Sequence, residues 1–123
     1  TRDIKVMIFP SPNLKVWLSS RPSDMRKSID GLSFLVVDTL KLEPTSGELF
    51  IFYNKNFNKL KILYWDNNGF CLWYKRLEKQ RFKLPKDNSE SLVLTAQQLR
   101  WLLEGLDFTK MKGNPQLKYD TFF

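Results

Sequence analysis

Two apolar runs separated by four turn-forming residues constrain this chain more than any other feature. Residues 60–65 and 70–76 are rich in aromatic and aliphatic side chains, and Asp66-Asn67-Asn68-Gly69 lies between them. Asn and Gly tolerate the positive φ that a tight hairpin requires, so the segment is predicted to be two antiparallel strands joined by a short turn. In the second strand the period of two puts Leu72 and Tyr74 on one face and Cys71 and Trp73 on the other. A third run, Leu49-Phe50-Ile51-Phe52-Tyr53, is apolar at every position. That pattern is expected of a strand covered on both sides.

Lys15-Val16-Trp17-Leu18 and Leu92-Val93-Leu94 read as further short strands, and Arg81-Phe82-Lys83-Leu84 alternates like a solvent-exposed edge strand. Helical spacing of Ile29, Leu32, Val36 and Leu40 predicts a helix over residues 25–40, with Ser23 or Asp24 as its cap. Pro44 and Thr45-Ser46-Gly47 end that segment. Thr95 with Gln98 forms a capping box that opens a second helix, whose stripe is Leu99, Leu102, Leu103 and Leu106. The element order predicts an α+β fold: a single domain built on an antiparallel β meander, with two main helices packed on one face of it. Residues 13–108 form this domain. Residues 1–12, interrupted by Pro10 and Pro12, precede it as an extension, and 109–123 follow as a tail.

Composition supports a folded chain. Hydrophobic residues are 42% of the 123, and aromatic residues 15%, too much apolar surface for a disordered protein. No apolar run approaches the ~20 residues of a membrane span, and no signal-peptide pattern is visible, so a cytoplasmic protein without membrane contact is expected. Cys71 is the single cysteine, which excludes an internal disulfide and a cysteine-based zinc site. In an apolar strand it reads as a small core residue.

The formal net charge is +7, and its distribution is uneven. Residues 55–86 hold nine basic side chains against Asp66 and Glu78, whereas the flanking segments are close to neutral. Concentrated charge can produce a patch of positive potential. Lys59, Lys61, Lys75, Arg76, Lys79, Arg81 and Lys83 are therefore candidate phosphate contacts, with Trp73, Tyr74 or Phe82 available to stack on bases. Arg26 and Lys27, near a predicted helix start, form a second candidate, although helix capping by Asp24 and pairing with Asp30 would account for them as surface residues. The bet is that the basic stretch converges as one cationic surface.

Catalysis finds little support. Asp24, Asp30, Asp66, Glu78 and Glu104 are the carboxylates considered for a metal-dependent nuclease, and each suits an ordinary turn, cap or helix-end role. The chain has no His, and it shows no glycine-rich phosphate loop and no nucleophile–base pair. No cofactor is called for.

Four ordered blocks carry a family resemblance: Asp24-Met25-Arg26-Lys27-Ser28-Ile29-Asp30-Gly31-Leu32; Ser46-Gly47-Glu48-Leu49-Phe50-Ile51-Phe52; residues 61–78, around Tyr64-Trp65-Asp66-Asn67-Asn68-Gly69; and Leu94-Thr95-Ala96-Gln97-Gln98-Leu99 with Leu102-Leu103-Glu104-Gly105-Leu106. Together they resemble the TnpB-type (Orf2-like) accessory proteins of the insertion sequence sixty-six class of bacterial transposable elements. Ser28 and Gln80 stand where that pattern usually has Gly. The resemblance implies a part in DNA transposition alongside the transposase of the same element, and supplies no catalytic residues. DNA and that transposase are the expected partners. Two roles fit: an accessory factor that binds nucleic acid through its basic surface, or a protein adaptor that uses aromatics such as Trp17, Trp73 and Trp101 without touching DNA. A metal-dependent nuclease is the minority alternative.

Overall fold

A computed structural model of the chain describes residues 14–85 and 91–111. The expected extension over 1–12, Lys86 and most of the expected tail lie outside these residues. Five strands form one sheet: β1 (Val16–Leu18), β2 (Leu49–Tyr53), β3 (Lys59–Asp66), β4 (Gly69–Arg76) and β5 (Leu92–Leu94). Two helices complete the domain, α1 (Ile29–Asp38) between β1 and β2, and α2 (Ala96–Leu103) after β5. The fold is α+β.

The sheet is mixed. Its spatial order is β4-β3-β2-β1-β5, with β2, β3 and β4 forming the antiparallel meander predicted from sequence. β1 instead pairs with β2 in parallel, with Val16 opposite Leu49 and Leu18 opposite Ile51, and β5 closes the far edge antiparallel to β1. The parallel pair follows from the long connection through α1, which can return the chain to the same end of the sheet. The helices also differ from expectation, because they lie on opposite faces. Leu32 and Val36 of α1 pack on Phe50, Phe52 and Leu63. Leu99, Leu102 and Leu103 of α2 pack over Val16, Leu18, Leu49, Ile51, Leu60 and Ile62. The all-apolar β2 is the cause: central in the sheet and buried at every residue, it requires a cover on each side.

Local chemistry sets the boundaries. At the β3–β4 hairpin Asp66 pairs with Gly69, and Asn67 takes φ 60, the left-handed conformation the turn signal predicted. The Thr95 hydroxyl accepts from the Gln98 amide at 3.0 Å, while the Gln98 side chain accepts from the Thr95 amide at 2.9 Å, so the capping box opens α2. α2 ends on Gly105 at φ 83: the Gly105 amide donates to the Leu102 carbonyl and the Leu106 amide to that of Trp101. This is a glycine-terminated helix in which left-handed backbone returns orphan carbonyls to donors.

Two predicted elements are corrected. α1 starts at Ile29, four residues later than expected, because residues 24–27 form a separate turn in which the Lys27 amide donates to the Asp24 carbonyl. Residues 81–84 are not an edge strand. The Phe82 amide donates to the Phe57 carbonyl and its ring is buried, so the charged–apolar alternation belongs to a strap that lays Leu77, Phe82 and Leu84 on the α2-side core.

Candidate nucleic-acid interface

The pleat decides which basic side chains can meet. Along β3, Leu60, Ile62 and Tyr64 enter the core beneath α2, so Lys59 and Lys61 project on the α1 side of the sheet. Across the ladder Lys59 faces Arg76, and Lys61 faces Tyr74. Beyond the start of α1 this part of the sheet is uncovered. The turn carrying Asp24, Met25 and Arg26 rises on one side of it, and the β2–β3 connection, residues 54–58, on the other. Between them lies an open groove of about 740 Å³, lined by Ser23, Asp24, Met25, Arg26, Asn54, Lys55, Asn56, Lys59, Lys61, Leu72 and Tyr74.

Each wall has its own anchor. The Lys61 ammonium donates to the carbonyls of Met25 and Lys27, both at 2.8 Å, which ties the 24–27 turn to β3. The same ammonium lies 5.8 Å from the centre of the Tyr74 ring, within range of a cation–π attraction. On the other wall the Asn54 side-chain oxygen accepts from the amides of Asn58 and Lys59, both at 3.0 Å, and its amide donates to Asn58 Oδ1 at 2.7 Å. That network closes the connection and accommodates Phe57 at φ 60. Ser23 is placed by its amide, which donates to the Tyr53 carbonyl at 2.8 Å.

Four cations and one carboxylate line the groove. The carboxylate, Asp24, is held by the Arg26 guanidinium at 2.7 and 3.0 Å and accepts from the Arg26 amide at 2.9 Å. The guanidinium hydrogen bonds and the backbone amide lower the Asp24 pKa from 3.8 to about 2. Arg26 nevertheless projects fully into solvent. Lys55 and Lys59 have no carboxylate partner among the described residues.

The basic stretch does not form one surface. Arg26, Lys59 and Lys61 meet in the groove, Arg76 stands at its edge, and Lys27 is exposed just before α1. Arg76 is paired at 2.8 Å with Glu78. Lys75 points to the opposite face, where its ammonium donates to the Leu103 carbonyl at 2.7 Å and helps terminate α2. Lys79, Arg81 and Lys83 are exposed on the strap. Thr109 hydrogen bonds chiefly lower the Asp107 pKa, and the positive charges of Lys110 and Lys83 add to the shift. The physical reason for the division is alternation in β4 followed by a chain reversal around the sheet edge.

Several groove residues were not singled out by sequence: Lys55, Asn54, Asn56, Ser23 and Leu72. For Asn54, Lys55 and Asn56 the only signal is a polar connection between two apolar strands; in the sequence Ser23 reads as a helix cap, and Leu72 as sharing a strand face with Tyr74. Trp73 and Trp101, expected partner contacts, are half-buried against the α2-side core, and Cys71 lies beside them. Trp17 packs on the α1 side and donates its indole N–H to Glu48 at 2.9 Å. Among the described residues no three carboxylate or thiol groups converge as a metal site, and no helix is long and apolar enough to cross a membrane.

Comparison with known families and proteins fits this arrangement of blocks. The model of one family, described as "IS66 Orf2 like protein", matches residues 14–113. The chain belongs to the IS66 Orf2-like family. Among its relatives are two proteins of Sinorhizobium fredii (strain NBRC 101917 / NGR234), both described as uncharacterized. Protein y4jC is 34% identical over 109 residues, covering 89% of this chain and 93% of its own length. Protein y4hO is 34% identical over 102 residues, covering 83% and 89%. No solved structure matches the chain. Membership in the IS66 Orf2-like family associates the chain with insertion sequences and their transposition.

Proposed function

We propose that the chain is a non-catalytic accessory factor of transposition that holds DNA in the groove between the 24–27 turn and the β2–β3 connection. One observation carries this reading: Lys55 and Lys59 face an open groove and are ion-paired to no carboxylate among the described residues. Unpaired lysines at a concave surface attract phosphates and gain by releasing the counterions that screen them. Arg26 adds a guanidinium whose exposed side can contact a second phosphate.

The test is titration of labelled DNA at several salt concentrations. The double variant Lys55→Glu, Lys59→Glu is expected to lose at least about tenfold in affinity, equivalent to 1.4 kcal/mol. Lys79→Glu with Lys83→Glu, on the strap, serves as the comparison and changes binding less. Equal losses from both pairs would remove the groove from the proposal.

A protein-adaptor role is favoured by a different observation. Phe34 and Val37, on the outer side of α1, are 62% and 53% exposed. Exposed aromatic and aliphatic side chains on one helix make suitable contacts for a protein partner such as the transposase. In that reading Trp73 and Trp101, half-buried on the other face, contribute less. Copurification with the transposase that survives Lys55→Glu, Lys59→Glu and is lost in Phe34→Asp, Val37→Asp would favour it.

A further inference from the structure

Tyr74 is an aromatic residue out of place for a purely structural role. Its neighbours on the same strand, Trp73 and Leu72, are at least half-buried, yet Tyr74 is 48% exposed at the wall of the basic groove. Lys61 lies over the ring, but its ammonium is committed to two backbone carbonyls, so the lysine acts as a fixed support. Surface of the ring outside that contact opens to the groove. Lys59 lies diagonally across the ladder from Tyr74, and Arg76 stands two residues along the same face. Asn56, exposed on the facing connection, brings an amide with both donor and acceptor capacity.

From this juxtaposition of an open tyrosine ring, flanking unpaired lysines and a facing amide, we infer that the groove takes single-stranded DNA, with one unstacked base laid on Tyr74. The inference rests on the DNA-binding reading above and narrows it. In a duplex both faces of each base are already stacked and its edges are paired, so a double helix would meet only the cations at the rim. A single strand can turn one base into the groove, where the ring provides a π surface that tolerates any base. Lys59 and Lys55 then meet phosphates on either side of that nucleotide, and Asn56 is positioned for a base edge.

The experiment uses the full chain with a fluorescent single-stranded oligonucleotide of mixed sequence and the same sequence as a duplex. The single strand is expected to bind at least about tenfold tighter. Tyr74→Leu, which keeps an apolar side chain on the strand, should weaken single-strand binding by about tenfold, consistent with loss of one base stack. It should weaken duplex binding by less than single-strand binding, and thermal unfolding should show the chain still folded. Tyr74→Phe, which retains the ring, should bind the single strand within about threefold of the unaltered chain, equivalent to less than about 0.7 kcal/mol. Duplex binding equal to or tighter than single-strand binding would overturn the inference while leaving the groove as a DNA site. So would a Tyr74→Leu variant of full affinity in which Lys55→Glu, Lys59→Glu is impaired. Absence of binding to either form would overturn this inference and the broader reading together.

Discussion

Lys61 and Lys75 show how far the role of a lysine depends on what its ammonium meets. Both lie in the basic stretch, and both are used to satisfy backbone carbonyls, Lys61 in the 24–27 turn and Lys75 at the end of α2. Lys61→Met should therefore cost about 1–2 kcal/mol, from loss of charge-assisted hydrogen bonds to two carbonyls. Urea denaturation would measure it, and faster amide exchange at Lys27 would show that the turn has loosened. Asp24 has the opposite relation to binding, because among the described residues it is the one carboxylate lining the groove. Its pKa of about 2 lies below the ordinary 3.8. The contribution of the Asp24–Arg26 pair is thus fully present above pH 3.8 and fades as the pH falls through about 2. With no His in the chain, DNA affinity is expected to be flat between about pH 5.5 and 8. Asp24→Asn should raise that affinity at neutral pH by releasing Arg26. Titrations across the pH range would check both expectations, and a step near pH 6.5 would contradict the first.

At the scale of elements, the start of α2 was legible and that of α1 was not; the α2 stripe was expected to run on to Leu106, which lies past the helix end and is exposed. Thr95 and Gln98 announce a capping box by residue type and spacing, and the structure contains both hydrogen bonds. Gly105 at φ 83 ends the same helix in a conformation that L side chains rarely adopt. Gly105→Ala is expected to destabilise the fold by about 1–2 kcal/mol from left-handed backbone strain. An added Cβ would also come within 2.7 Å of the Gln80 side-chain oxygen, so that flexible side chain must move. Thermal unfolding of the variant measures the combined loss. α1 differs because a tertiary contact sets its start. Apolar spacing continues upstream through Met25, but Lys61 draws the Met25 and Lys27 carbonyls into its own hydrogen bonds, and Ser28 caps the helix by backbone conformation without a side-chain bond. The hairpin at Asn67 and the buried β2 were readable because turn chemistry and complete burial each leave a local pattern.

For the molecule as a whole, the division of charge between two faces makes a quantitative prediction. Six phosphates neutralised on a single strand by one continuous basic surface would give a salt slope of about −4. Among the described residues Lys55 and Lys59 have no carboxylate partner, while Arg26 and Arg76 share their charge with Asp24 and Glu78, so under the proposed reading the groove would engage two to four phosphates. The expected slope on a single strand is then between about −1.5 and −3. Anisotropy titrations over a range of salt concentrations would distinguish the two values. A slope of about −4 would return the strap residues Lys79, Arg81 and Lys83 to the binding surface.

The sequence by itself determined the five strands of the sheet, the hairpin, the capping box of α2 and the α+β class, because each depends on neighbours within a few positions. It also carried the blocks that mark family membership. Tertiary structure alone decided that β1 lies parallel to β2, that the helices take opposite faces, and that residues 81–84 form a strap. Those outcomes depend on which apolar faces must be covered once the sheet has formed, and no local pattern encodes that. The groove is of the same kind. Its cations come from the 24–27 turn, the β2–β3 connection and β3, and only the sheet brings them together.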